Sequence, residues 1–554
     1  MDLDDRLKLQ KSEEDTIKFW RSGDIDDEVS EFRKGGRNVY LPRAPVNTKD
    51  HLEWNEIFIN MVYDTLARFY SISGYNVRNG VGFESMNNKV EKLSIKDMDD
   101  IECLKTIDDE DKKELLSEID DRSERYIEST RDELKKLGVW MIDEFEYQTR
   151  SKDFLDPIWW TIDNLYEKDL LIQRRKPLKF CPECKTSLSD IEVTSTSEVK
   201  EEALVKIPLA SGKNRYFLTY LEDMWKYPAS LNIVVHPDEE YAIVKIGSEE
   251  DPEQLVVLKS TIEDMLEIAQ VQDYEVQKVV TGEALEGLTY RYPLGDKIPI
   301  KTEEYGKLGK VILSNDIRLD GTGIVPLTPY YDKLHWKIAE KEDIPRYDPL
   351  MMNGHFDDGP RMNKYSGISA AESESVILDD LESKGLLLSR SETKKDVERC
   401  STCKNRLITY PKREWFFDSS SIDYDNELEN IKPSNKDVFF GEWPLTRDNI
   451  WGHPFPMWKC DCGTIFTPSQ HSDLEELSSQ DIDFPLTILE TPDIQLGCPD
   501  CGKIMTWTEK TIDPSFIRAC SPWAQIGYPC EEKVINLGGQ LRSLLRMILG
   551  SDLS

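Results

Sequence analysis

Four short cysteine pairs constrain this chain more than any other feature: Cys181/Cys184, Cys400/Cys403, Cys460/Cys462 and Cys498/Cys501. They hold eight of its eleven cysteines. Two thiolates on one tight turn supply half of a tetrahedral zinc shell, so four such turns imply two structural Zn2+ sites. Pro182 and Pro499 lie inside two of the knuckles, and Gly463 and Gly502 follow two of them. Disulfides or unrelated buried thiols are the competing reading. The charged N-terminus carries no secretory signal pattern, which points to a reducing compartment, a cytoplasmic location and metal. Spacing alone does not assign partners, and Cys460-Asp461-Cys462 is one residue short of the C-x-x-C pattern.

A chain of 554 residues exceeds what one core can organise, so two to four domains are expected. No apolar run reaches membrane-spanning length. The net charge of −36 repels phosphate, so tight tRNA or DNA binding by this chain alone is not expected.

Residues 1–38 read as polar helix with Trp20 and Phe32 as anchors. Asn38–Pro42 reads as a short strand, and 53–73 as a long amphipathic helix. Its apolar face comprises Ile57, Ile59, Met61, Val62, Leu66, Phe69 and Tyr70. Strand, loop and helix in that order open a nucleotide-binding α/β domain. The acidic runs at 97–100 and 108–111 read as solvated faces. Segments 137–142 and 158–163 have buried character. Residues 187–395, rich in Val, Ile and Tyr with frequent turns, read as an inserted β-barrel carrying a few helices. The pairs at 181/184 and 400/403 bracket that insert, and a zinc joining them would clip its stalk. The expected division is therefore 1–186, 187–395 and 396–554.

At this point the residues resemble a class I aminoacyl-tRNA synthetase of the isoleucyl/valyl/leucyl group, nearest to isoleucyl-tRNA synthetase. The resemblance rests on Cys181-Pro-Glu-Cys with its following strand, Tyr216-Phe-Leu-Thr-Tyr with Trp225, Pro228-Ala229 and His236-Pro237. Gly321-Thr-Gly-Ile-Val-Pro, Trp451-Gly-His-Pro-Phe-Pro-Met-Trp and Pro522-Trp-Ala-Gln-Ile-Gly-Tyr-Pro continue it. It implies a Rossmann-like α/β core, a β-barrel editing insert and two zinc modules. It also pairs 181/184 with 400/403, and 460/462 with 498/501.

The same resemblance marks departures. The family's H-x-G-H histidines, which donate to the transferring phosphate, fall on Glu53-Trp54-Asn55-Glu56. Carboxylates offer no donor and repel phosphate by roughly 4 kcal/mol at ~4 Å and an effective dielectric near 20. The G-W-D-x-H-G-x-P segment reads Gly82-Phe83-Glu84-Ser85-Met86-Asn87-Asn88-Lys89, leaving Gly82 and Glu84 as a weak cofactor or ammonium site. The tryptophan–phenylalanine–aspartate–serine–glycine turn reads Ser515-Phe516-Ile517-Arg518-Ala519. The chain stops at Ser554 before any lysine-rich loop or anticodon domain, and the missing half of the core is expected to be absent or rebuilt from a last helix over 537–549. In the insert, the threonine-rich strand reads Leu221-Glu222-Asp223-Met224, and the aspartate that pairs with the substrate ammonium falls on His335. Asp332 is a nearby carboxylate that could take a related role.

The resulting expectation is a catalytically degenerate synthetase-like protein. It would be held by two zinc ions, bind no ATP productively, and act as an interaction or regulatory partner of another protein. The alternatives are a trans-editing aminoacyl-tRNA deacylase, one chain of a split isoleucine-tRNA ligase, and a sensor that keeps an amino-acid pocket around Glu84.

Overall fold

A computed structural model of the chain describes residues 3–48, 51–86, 109–141, 145–294, 308–319, 321–357, 363–421, 442–449, 452–478, 480, 482, 484–488 and 490–529. The acidic run at 97–100, Asn87 to Lys89, Trp451 and the expected last helix lie outside them. The chain forms two units: residues 1–173 with 414–554, and 174–413.

The first unit begins with helices α1 (Leu3–Ser22) and α2 (Ile25–Arg33). Trp20 anchors as expected, with the Arg68 guanidinium 4.4 Å from its ring. Phe32 does not; it is 78% exposed. Strand β1 (Asn38–Tyr40) is followed by β2 (Val46–Asn47), helix α3 (Trp54–Ile72) and β3 (Asn76–Arg78), and β1 pairs in parallel with β3. This is the expected parallel unit with a crossover helix. Strand β4 (Gly82–Glu84) pairs in parallel with β2 and with β5 (Tyr147–Gln148); the long helix α4 (Asp109–Lys136) lies between β4 and β5 in sequence. Gly82 is required by packing: a Cβ there would stand 2.0 Å from Tyr147 Cζ.

The helix over 53–73 exists, but its expected core face is wrong. Its buried residues are Asn60, Ala67 and Ser71. Ile59, Met61, Val62, Leu66 and Phe69 are exposed. Small side chains let α3 sit closely on β3, so the large apolar residues turn outward.

Helix α5 (Lys152–Glu167) centres the main core of this unit: Phe154, Ile158, Trp159, Ile162 and Leu165 pack with Phe455, Met457, Trp458, Phe516 and Trp523. Val139 and Met141 are buried as expected, while Leu137 is exposed.

The chain leaves the first unit on β6 (Leu171–Cys181). In the second unit follow β7 (Thr186–Ser187), β8 (Val193–Pro208), β9 (Arg215–Leu221), β10 (Asn232–Val235), β11 (Glu240–Gly247) and β12 (Pro252–Leu258). Helix α6 (Ile262–Ile268) precedes β13 (Glu275–Thr281), β14 (Val311–Leu313) and β15 (Val325–Leu327). Helices α7 (Lys333–Lys341) and α8 (Ala370–Ser383) precede β16 (Leu387–Cys400). A six-stranded sheet runs β13-β11-β12-β9-β8-β16, and a three-stranded one runs β14-β10-β15. The six-stranded sheet has two ends, and no pairing among the described residues joins them into a closed ring. Its strands alternate between two buried clusters, one around Ile207, Phe217 and Tyr241, the other around Leu204, Leu218 and Ala242. That burial on both faces explains the near-continuous Val/Ile/Leu content.

The chain returns on β17 (Ile408–Asp418), a neighbour of β6 in a four-stranded sheet. The last described helices are α9 (His471–Leu477) and α10 (Pro514–Ala524).

Candidate functional site

The cysteine pairs converge in two quartets. In the second unit Cys181, Cys184, Cys400 and Cys403 bring their sulfurs within 4.8 Å of one another; in the first unit Cys460, Cys462, Cys498 and Cys501 do the same. The sulfur–sulfur separations are 3.4 Å for Cys181–Cys403, 3.8 Å for Cys184–Cys400, 3.4 Å for Cys460–Cys501 and 3.7 Å for Cys462–Cys498. A disulfide would require about 2.05 Å. A tetrahedron with Zn–S near 2.3 Å requires sulfurs about 3.8 Å apart. The donor set and spacing therefore fit Zn2+.

The knuckles share one local geometry. The residue after each second cysteine is left-handed: Lys185 (φ 53°), Lys404 (φ 62°), Gly463 (φ 100°) and Gly502 (φ 71°). The two glycines were legible as turn residues, while the two lysines gave no such signal. The short C-x-C pair closes like its partner: Gly463 N donates to Cys460 O at 2.9 Å and Gly502 N to Cys498 O at 2.9 Å. The Thr464 hydroxyl, 3.1 Å from Cys462 Sγ, donates to Asp500 at 2.7 Å and ties the two knuckles together.

The other sequence candidates are engaged differently. Glu53 is the N-cap of α3, and Asn55 and Glu56 lie in its first turn. Glu53 N donates to Glu56 Oε2 at 3.0 Å, and Glu56 N donates to Asn55 Oδ1 at 2.9 Å. A helix N-terminus is an anion site because its first N–H groups lack partners. Here side chains of the same turn take two of these amides, Glu53 N and Glu56 N, and one of the two acceptors is a carboxylate. His51 lies just outside the helix. Its Nδ1 is 2.8 Å from Glu133 Oε1, and Glu133 Oε2 accepts from Leu52 N at 2.7 Å. The segment is pinned to α4 rather than aimed at an open phosphate site.

Glu84 is buried at the end of β4, where Oε1 accepts from the Thr149 hydroxyl at 3.0 Å. Burial pushes its carboxyl above the usual range, with Arg518 and the Thr149 hydroxyl pulling part of the way back. Arg518, on α10, donates to Asn47 at the end of β2. Two neighbours that the sequence did not flag thus close in on Glu84. The segment Ser515–Ala519 lies inside α10, which Asp513 caps by accepting from Ser515 N at 2.8 Å and Phe516 N at 3.1 Å.

In the second unit Leu221 is buried at the end of β9, and Glu222 pairs with Lys395. Asp223 pairs with Lys200 and, at 2.8 Å, with Lys226. Burial alone would raise the Asp223 carboxyl, but the two ammonium groups outweigh it and hold it well below the usual range. Asp332 is the N-cap of α7, accepting from Leu334 N at 2.7 Å and His335 N at 3.0 Å. His335 Nδ1 lies 3.2 Å from Thr328 N and 3.1 Å from the Thr328 hydroxyl, and burial pushes its pKa down. Each of these groups already has a structural partner.

A family model for class I tRNA synthetases (I, L, M and V) matches residues 15–534, so the chain belongs to that family. Within it the likeness is to isoleucine–tRNA ligases. The enzyme of Methanothermobacter marburgensis is 29% identical, with 95% of this chain and 50% of the relative covered. That of Methanocaldococcus jannaschii is 27% identical, with 92% of this chain and 51% of the relative covered. The chain spans about half the length of the curated relatives it matches. The ternary complex of Agrobacterium radiobacter K84 LeuRS with tRNA and LeuAMS superposes with a TM-score of 0.37 at 14% identity, covering 91% of this chain and 58% of that one, too loose a likeness to build on. Among the described residues no helix is long and apolar enough to cross a membrane.

Proposed function

We propose that this chain is an isoleucyl-tRNA synthetase-like protein that has lost amino-acid activation and aminoacylation and acts as an interaction or regulatory scaffold. Two structural zinc ions hold it, one in each cysteine quartet. Zinc there supplies folding free energy rather than chemistry, because four thiolates leave no open coordination position. The observation that carries the reading is the first turn of α3. Phosphoryl chemistry depends on donors aimed at developing negative charge. Glu53 and Glu56 instead present carboxylates and share the helix's own amides. A cytoplasmic location and a protein partner complete the proposal.

A second reading is one chain of a split ligase. Its difficulty is that a partner chain does not remove the carboxylates at α3. The trans-editing reading is disfavoured by the ion pairs that engage Glu222 and Asp223 and by the hydrogen bonds that engage His335. Isoleucine-dependent ATP–pyrophosphate exchange tests the proposal. Background exchange is expected, and robust exchange with any amino acid would refute it.

A further inference from the structure

Helices α2 and α3, the end of strand β3 and the segment at Trp140 meet around one small cavity in the first unit. Its lining includes Asp26 and Arg33 of α2, Ala67 and Ser71 of α3, Asn79 just past β3, and Trp140. The cavity measures about 20 Å3, and a single water needs about 10–15 Å3 of such space. Three of these residues carry a buried polar atom with no hydrogen-bond partner among the described residues: Arg33 Nε, Asn79 Oδ1 and Trp140 Nε1. Asn79 is only 2% exposed. Native interiors leave few polar groups unpaired, so three of them on the lining of one cavity point to a shared partner.

We propose that this cavity is a binding site for one water molecule, which ties the last turn of α2 to the end of β3 and to Trp140. The pattern of donors and acceptors selects the ligand. Arg33 Nε and Trp140 Nε1 carry hydrogens and only donate. Two fixed donors, one of them on a guanidinium, turn away ammonium and metal cations. Asn79 Oδ1 accepts, and so does the Asp26 carboxylate, which takes Met141 N at 3.4 Å. Two acceptors, one of them anionic, turn away chloride and larger anions. Water satisfies both sets. Its lone pairs take the Arg33 and Trp140 hydrogens, and its own hydrogens go to Asn79 Oδ1 and Asp26. Without it, three polar groups would stay both desolvated and unpaired. The site also gives the small residues of α3 a second role: Ala67 and Ser71 let the helix sit on β3 and leave room for the water.

The test is a crystal structure of the full chain at a resolution that orders water. Density for one water should lie within about 2.7–3.2 Å of Arg33 Nε, Asn79 Oδ1 and Trp140 Nε1. No density there, density for an ion, or Arg33 bonded directly to Asn79 would overturn the proposal. A second measurement works in solution. Ala67→Val puts two methyl groups into the space. Displacing a bound water leaves the three polar atoms unpaired, so the melting temperature should fall by at least about 2 °C. Filling a dry space would raise it, and a rise or no change would overturn the proposal. In an Asn79→Leu background, where the acceptor is already gone, the same change should cost about half as much or less. An equal fall in both backgrounds would assign the loss to overpacking and would also overturn it.

Discussion

The cysteine quartets and the first turn of α3 make opposite uses of charge. In each quartet four cysteine sulfurs crowd around one centre, an arrangement that fits a bound cation. At α3 the chain has brought its own acceptors to amides that would otherwise take an anion. The first kind of site fits a bound cation, and in the second the chain supplies its own acceptors.

The largest effect should come from breaking a quartet. Purified chain should contain two zinc ions, and Cys400→Ser or Cys498→Ser should each release one. Structural zinc in small modules is worth on the order of 10–16 kcal/mol, so the affected unit should lose its cooperative unfolding transition. Elemental analysis with calorimetry checks this. One zinc or fewer in the unmodified chain would leave the two regions without the contrast drawn here.

A smaller effect concerns pH. His453 is buried, and neither ring nitrogen has a hydrogen-bond partner among the described residues. Burial, with His471 nearby, pushes its pKa down to about 3. In the unfolded chain it titrates near 6.5, so there the proton binds at higher pH than in the folded one. Its contribution is therefore complete above about pH 6.5 and is lost progressively as the pH falls toward 3. His453→Phe should flatten the decline in melting temperature between pH 6.5 and 5, a window chosen above the pH at which thiolate ligands protonate extensively. An unchanged slope would assign the acid sensitivity to the quartets.

The smallest effect is at α3. Replacing Glu56 by Ala removes the acceptor for Glu53 N, and losing such a cap should cost about 0.5–2 kcal/mol. Glu56→Gln should recover most of it, because the amide oxygen still accepts. Denaturant melts of the three proteins separate capping from charge. If Glu56→Ala is more stable than the original, the carboxylate is not there to cap.

Much of this architecture was legible from the sequence because spacing encodes it. Cysteine pairs two or three residues apart must share a turn, and both quartets assemble as the family resemblance implied. The helix over 53–73 was also legible, but its face was not. Periodicity finds large apolar residues, whereas α3 packs through Asn60, Ala67 and Ser71, where small size allows close approach. Phe32 misled for the same reason, since aromatic character does not specify burial. Glu84 was flagged from its motif. Its neighbours Arg518 and Asn47 come from elements hundreds of residues apart and only meet once the chain has folded. The partners of Asp223 and His335 were equally invisible, because ion pairing and capping depend on which loops come together.

Amide hydrogen exchange of the first turn of α3 with and without millimolar Mg2+–ATP tests the central claim most directly. A phosphate bound at that helix terminus would draw on the amides of residues 53–56 and slow their exchange. The self-capped turn predicts identical exchange in both conditions, with isoleucine present or absent. Protection of those amides by ATP would show that the carboxylates give way to phosphate, and would contradict the account.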